Sequence, residues 1–278
     1  YVGRAVGESV QRLGGHVTAL TRNSLKADGL RNVGFKTIEG EISSDDWHRR
    51  VETKPNFVLD CVSSGGGGTE GYRRSYLGGA KSILRWGKQT GQTGHLIYTG
   101  STSVYPQGEG VVVDESMPAN AREERSQILA ETEHTISQWP GCWTILRLAG
   151  IYGPDRHHLL DGLQTGNRTV PGLRETLLNL VHRDDIVSAV LAAFVKSQVA
   201  NGKVFNVADD GGAPKEEVVR WLADRLGRTM PEFTGKSAPG RRALMPSRLI
   251  SNARIKAELG WSPRYPSFRE GYNAILGA

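Results

Sequence analysis

The chain has 278 residues, enough for one large or two modest domains with a substantial core. Hydrophobic residues make up 38% and charged residues 23%, an ordinary globular composition, and no apolar run is long enough to span a bilayer, so no membrane partner is expected. The net charge of +6 comes from scattered arginines with no aromatic-interleaved basic stripe, which argues against nucleic acid and for a small anionic partner.

The chain opens on Tyr1-Val2-Gly3-Arg4-Ala5-Val6-Gly7. Val2, Val6, Val10 and Leu13 recur at helical spacing, Gly14-Gly15 stops that helix, and Val17 to Leu20 reads as a buried strand. Helix, tight turn and strand form the back half of a βαβ unit. The front half, an apolar strand with its glycine-rich turn, is expected in roughly ten residues upstream of Tyr1, so that the first strand is missing from the chain. Gly3 is then the last glycine of a G-x-G-x-x-G, with Tyr1 and Val2 just before it. Such a turn holds a pyrophosphate on backbone N–H groups and a helix N-terminus.

Phe35 to Ile38 is a short strand candidate, followed by Gly40-Glu41. Asn56 to Val62 is a continuous apolar run, as in a parallel sheet covered on both faces, and leads into Ser63-Ser64 and four glycines, Gly65 to Gly68. A helix through Tyr76 and Leu84 to Trp86 follows, then a strand from His95 to Thr99 ending in Gly100-Ser101-Thr102-Ser103-Val104-Tyr105. After a helix around Glu123 to Ser137, the strand Trp143 to Leu148 ends in Gly150-Ile151-Tyr152-Gly153-Pro154. Beyond it come a short strand over Leu178 to His182 and a helix whose apolar face is Ile186, Val190, Leu191 and Phe194. Asp184-Asp185 at its start suit capping and the helix dipole. Val204 to Val207 is a last strand, followed by helices over Lys215 to Leu226 and Asn252 to Leu259. Cys61 and Cys142 lie in apolar strand-like runs and fit reduced core thiols of a cytoplasmic protein better than a disulfide or a metal site.

Strand and helix alternate with short connections, which implies an α/β doubly wound parallel sheet. Ligands of such sheets bind beyond the carboxyl ends of the strands. Those ends place Val62-Ser63, Thr99-Gly100 and Gly150-Ile151 against a cofactor.

The motifs at these ends resemble those of the extended short-chain dehydrogenase/reductase family, the NAD(P)-dependent epimerases and dehydratases with a Rossmann domain. They are Tyr1-Val2-Gly3-Arg4, Ser101-Thr102-Ser103-Val104-Tyr105, Arg147 to Pro154, Val181-His182-Arg183-Asp184-Asp185, and Ser251 to Arg254 with Glu258-Leu259-Gly260-Trp261. The resemblance implies a dinucleotide domain over 1–152 and 183–208 and a smaller substrate lobe over 153–182 and 209–278. It also implies a homodimer through the helices near Tyr76–Trp86 and Glu123–Ser137. One departure stands out. The family's Tyr and its Lys four residues later are replaced by Glu123 and Gln127, so this is an atypical member. Candidates for the chemistry are Ser101, at the family's hydrogen-bonding Ser/Thr position, a buried Glu123 with a raised pKa, and the phenol of Tyr105 or Tyr152. Gln127, at the position of the ribose-holding Lys, stays a cofactor contact.

An NAD-specific site carries an acidic residue at the end of the second strand. Thr21-Arg22-Asn23 has none there, and Arg22 suits a 2′-phosphate, which favours NADP over NAD. Glu41 resembles the family's acidic residue near the adenine. Two functions follow. One is an NADP-dependent oxidoreductase or epimerase on a small anionic or sugar-like substrate. The other is a dinucleotide-binding sensor or scaffold that has lost catalysis, acting through the basic Arg241-Arg242 loop. The surroundings of Glu123 distinguish them: buried beside Ser101 favours the enzyme, solvated favours the sensor.

Overall fold

The computed structural model describes residues 1–120, 122–237 and 246–277, so the Arg241-Arg242 loop lies outside the described residues. Four parallel strands form the main sheet, in the order Lys203–Val207, Trp143–Leu148, His95–Ser101 and Phe57–Asp60. A second parallel pair joins Thr18–Thr21 to Lys36–Glu39. No strand among the described residues hydrogen-bonds the pair to the four-stranded piece.

The helices cover both faces because their apolar residues repeat at helical spacing. On one face Val2 and Val6 of the Val2–Arg12 helix and Ile186, Ala189, Val190 and Ala193 of the Arg183–Val195 helix meet Ile97, Leu146, Leu148 and Val207. On the other, Ala80, Ile83 and Trp86 of the Gly79–Thr90 helix and Ile136 of the Glu124–Ile136 helix meet Leu96, Tyr98 and Ile145. A third cluster, with Tyr152, Leu160, Leu163, Leu222, Phe268 and Tyr272, is the core of the segments beyond the main sheet.

Several expectations are corrected. Leu13 does not join the buried face of the first helix; the helix ends at Arg12 and Leu13 is 76% exposed beside the left-handed Gly14. The strand expected from Asn56 to Val62 is only Phe57–Asp60, at the edge of the four-stranded piece, and Phe57 is 48% exposed, resting on Phe194 with ring centroids 4.4 Å apart. The helix expected through Tyr76 to Trp86 is three segments: Gly68–Tyr72, a π-helical turn over Arg73–Gly78, and Gly79–Thr90. Asp184 and Asp185 do not cap their helix. The His182 ring accepts from the Asp184 N–H at 3.2 Å, while the buried Asp185 carboxylate accepts the Arg264 and Tyr265 N–H groups at 2.6 and 3.1 Å and clasps the C-terminal tail.

Candidate functional site

The carboxyl ends of the parallel strands gather most of the predicted residues on one edge of the sheet. At the first helix, a side chain on Gly3 would place its Cβ 2.6 Å from Cys61 Sγ. Only glycine permits this approach of helix to strand. Val2 is buried in the core. Tyr1 is 44% exposed, donates to the Pro154 carbonyl at 2.9 Å, and has Arg156 and Arg183 over its ring.

Arg22 follows the Thr18–Thr21 strand and ties three elements together. Its guanidinium pairs with Glu41 at 3.4 Å and donates to the Gly65 carbonyl at 3.3 Å. Gly65 to Gly68 all lie in the left-handed region, with φ of 62°, 93°, 80° and 60°. That run folds the chain back sharply, so that a side chain on Gly71 would collide with the Gly66 carbonyl. Ser75 Oγ donates to the Ser64 carbonyl at 3.2 Å and fastens the following helix to this loop. Arg22, Glu41, Val62, Ser63 and the glycine loop thus share one end of the sheet.

Ser101 closes its strand. Its Oγ accepts the Ser103 N–H at 3.2 Å, capping the short turn Thr102–Val104. Thr99 is buried, with Oγ1 donating to the Asp60 carbonyl at 3.4 Å. A side chain on Gly100 would press on the Tyr98 ring and Glu133 Oε1, at 3.1 and 3.2 Å. Gly150 and Ile151 lie on the Gly150–Tyr152 strand, paired with Leu180–His182.

Tyr105 sits apart from solvent. It is 1% exposed, accepts from Arg147 Nη1 at 2.7 Å and donates to Asn206 Oδ1 at 2.9 Å. Burial, opposed by Arg147, pushes its pKa up. Arg147 in turn makes a bidentate pair with Glu133, so Tyr105 belongs to a buried polar network. Tyr152 is 3% exposed, packs against the Tyr272 and His182 rings, and donates to the Ser267 carbonyl at 3.4 Å.

Glu123 and Gln127 are both exposed. The burial expected of an acid/base Glu123 is absent. Its carboxylate accepts the Ser126 N–H at 3.0 Å and the Ser126 hydroxyl at 3.1 Å and caps the Glu124–Ile136 helix. Glu123→Ala is expected to lower stability by about 1 kcal/mol, and Glu123→Asn, another good cap, to restore most of it. Thermal melts of both variants check this; an Asn variant as unstable as the Ala variant would show that capping is not the role.

Sequence reading overlooked Asp60. It is 2% exposed at the end of its strand, and burial pushes its carboxyl up to about 7. Oδ1 accepts the Val62 N–H at 3.4 Å, while Oδ2 has no partner among the described residues. Its register partner Tyr98 is fully buried, its hydroxyl without a partner among the described residues. The signal was an acid inside the apolar run Phe57-Val58-Leu59-Asp60-Cys61-Val62. Another overlooked residue is Arg248, 3% exposed, whose guanidinium donates to the carbonyls of Thr102, Tyr105 and Gln107 at 2.8 to 2.9 Å and sets the loop after Ser101.

Parallel strands ending in a glycine-rich loop, a close helix–strand glycine and a strand-end arginine define a dinucleotide-binding α/β protein of the Rossmann kind. The chain belongs to the NAD dependent epimerase/dehydratase family, whose model matches residues 1–208. It is 31% identical over 172 residues to protein YeeZ of Escherichia coli K12, covering 62% of this chain and 58% of YeeZ. It is 29% identical over 155 residues to the 3-diazoavenalumate denitrifying reductase of a Streptomyces, covering 51% and 50%. The chain therefore spans between half and three fifths of the length of these curated relatives. UDP-glucose 4-epimerase of Thermotoga maritima, solved with UDP-glucose, superposes with a TM-score of 0.85 at 17% identity, over 100% of this chain and 94% of that one; this likeness establishes the shared fold. No helix among the described residues is long and apolar enough to cross a membrane.

Proposed function

We propose that this chain is an NADP-dependent oxidoreductase or epimerase acting on a small anionic or sugar-like substrate with a non-standard acid/base. The observation that carries the reading is Arg22: a strand-end guanidinium, 40% exposed at its side chain, beside the glycine loop and with no acidic residue adjacent in Thr21-Arg22-Asn23. A 2′-phosphate suits such a donor through charge-assisted hydrogen bonds. The cradle suits the rest of a dinucleotide, since Gly3 leaves no space for a side chain and Gly66 and Gly68 of the left-handed run have open space where a side chain would stand. Gly3 with Tyr1 and Val2, Arg22 with Glu41, and Val62, Ser63, Thr99, Gly100, Gln127, Gly150 and Ile151 are the residues we assign to the cofactor. When bound, the dinucleotide supplies hydride chemistry. Residues 153–182 and 209–278 are assigned to the substrate, and the reductase among the relatives supports the oxidoreductase class. A cytoplasmic setting and a homodimer go with this reading.

Fluorescence titration with NADPH and NADH tests it. NADPH is expected to bind more tightly. Arg22→Ala is expected to weaken NADPH roughly ten- to hundredfold, from the loss of about 1.5–3 kcal/mol, and to leave NADH nearly unchanged. An equal loss for both nucleotides would remove the 2′-phosphate assignment.

The sensor reading keeps one specific observation: Glu123 is an exposed helix cap, the surroundings that favour it, and Gln127 carries no charge, so the helix that carries the family's reactive pair offers no buried acid/base beside a cation here. Absence of binding by either nucleotide would leave that reading too without a ligand.

A further inference from the structure

We propose that Glu41 sets the cofactor preference of this site: it is the counter-ion of Arg22, and a 2′-phosphate enters by taking the guanidinium over from it. The proposal rests on the reading above, in which Arg22 receives that phosphate, and names the residue that limits how strongly it does so. Arg22 is not a bare cation. Nη1 donates to Glu41 Oε2 at 3.4 Å, and Nη2 donates to the Gly65 carbonyl at 3.3 Å. The carboxylate contact is longer than the about 2.7–2.9 Å of a strong charge-assisted hydrogen bond. Both side chains are part-exposed, 40% for Arg22 and 33% for Glu41. Such a pair is weak, and its cation can be handed to a second anion.

The backbone, rather than the ion pair, keeps Glu41 at this place. The Gly40 N–H donates to the Thr21 carbonyl at 3.0 Å, which ties the end of the Lys36–Glu39 strand to the residue before Arg22. The Ser44 N–H closes a turn on the Glu41 carbonyl at 3.0 Å, and Ser82 Oγ lies 2.9 Å from the Ser44 carbonyl. The Ile42 carbonyl accepts from Trp47 Nε1 at 3.2 Å, and the Ile42 side chain packs on Gly79. Glu41 therefore stands beside Arg22 whatever anion the guanidinium holds. On the opposite side the guanidinium fills the space that Gly65 leaves open, since a side chain there would collide with Nη2. The fork is thus aimed between the Lys36–Glu39 strand end and the glycine loop. A phosphate on Nη1 leaves the Gly65 bond in place and displaces the carboxylate, and two anions then stand side by side. Their repulsion and the lost ion pair subtract from the affinity for NADPH. The affinity for NADH is untouched, because NADH carries no 2′-phosphate. Any contact of Glu41 with the adenine is common to both nucleotides and cancels in the ratio of their affinities.

The test is the ratio of the NADH to the NADPH dissociation constant, measured by fluorescence titration of the full chain. Wild type, Glu41→Gln, Arg22→Ala and the double variant are compared. Glu41→Gln is expected to raise the preference for NADPH about three- to tenfold. In the Arg22→Ala background the same substitution is expected to change the ratio less than about twofold, because the carboxylate acts through the arginine. A Glu41→Gln gain below about twofold, or a gain that survives Arg22→Ala, would overturn the proposal. In that case a loss specific to NADPH in Arg22→Ala would still uphold the 2′-phosphate reading. An Arg22→Ala ratio equal to that of wild type would overturn both, as would a protein that binds neither nucleotide.

Discussion

Glu133→Gln is expected to destabilise the protein by about 3–5 kcal/mol, and Arg147→Met by a similar amount. Both residues are 7% exposed. The guanidinium makes three contacts with the carboxylate, Nε to Oε1 at 3.0 Å, Nε to Oε2 at 3.2 Å and Nη2 to Oε2 at 2.6 Å, and its remaining arm holds the Tyr105 hydroxyl. Removing the carboxylate leaves a desolvated cation with no counter-charge; removing the cation strands the carboxylate and frees Tyr105 to lose Asn206. The double variant Glu133→Leu with Arg147→Met is expected to recover most of the loss, because the desolvation of two charges disappears with them. Urea denaturation of the singles and the double measures the coupling. Single variants costing under about 1 kcal/mol would mean that water reaches the pair and that it is an ordinary surface bridge.

The same network shows where sequence reading stops. Strand and helix identity was legible because it is written in local periodicity: Trp143 to Leu148 and Lys203 to Val207 fall where apolar runs place them. The family was legible because its motifs sit at strand ends. Tyr105 was legible as part of a motif but not as a buried network member, since its partners Arg147 and Asn206 lie 42 and 101 residues further along the chain. Phe57 and Leu13 are apolar residues left exposed, and periodicity alone cannot tell which apolar position a short element abandons. The π-helical turn at Arg73–Gly78 changes a hydrogen-bond register without a compositional mark, so the cation–π contact of Arg125 with the Tyr72 ring was invisible in the chain. Asp60 could have been found, because a carboxyl inside an apolar strand must be either paired or protonated.

Asp60→Asn is expected to stabilise the protein most at high pH and least in acid. Burial holds the folded-state carboxyl near 7, whereas an unfolded chain titrates it near 3.9. Between those values the folded protein binds the extra proton, so stability falls as pH rises from about 4 to about 7 and levels off above. About three pH units at 1.36 kcal/mol each sets the total on the order of 4 kcal/mol, an upper figure because local rearrangement relieves part of it. Asp209, also raised to about 7 by burial, adds a slope of the same sign. His95 and His182, both pushed down to about 4 by burial, act the other way: their contribution is lost as pH falls from about 6.5 towards 4. Glu115 and Asp185, also raised by burial, add to the acid side, so the wild-type profile mixes opposing slopes and does not report Asp60 alone. The difference between Asp60→Asn and wild type cancels the histidines and Asp209 and isolates one carboxyl, and any fixed cost of an unpaired amide shifts that difference without bending it. Chemical denaturation at pH 4.5, 6 and 8 reads the slope. A difference that stays constant across the three values would place the Asp60 titration back in the ordinary carboxylate range and would require water to reach Oδ2. A difference that grows with pH identifies a carboxylic acid held protonated towards neutral pH at the end of the Phe57–Asp60 strand, one residue before the Cys61 against which Gly3 packs.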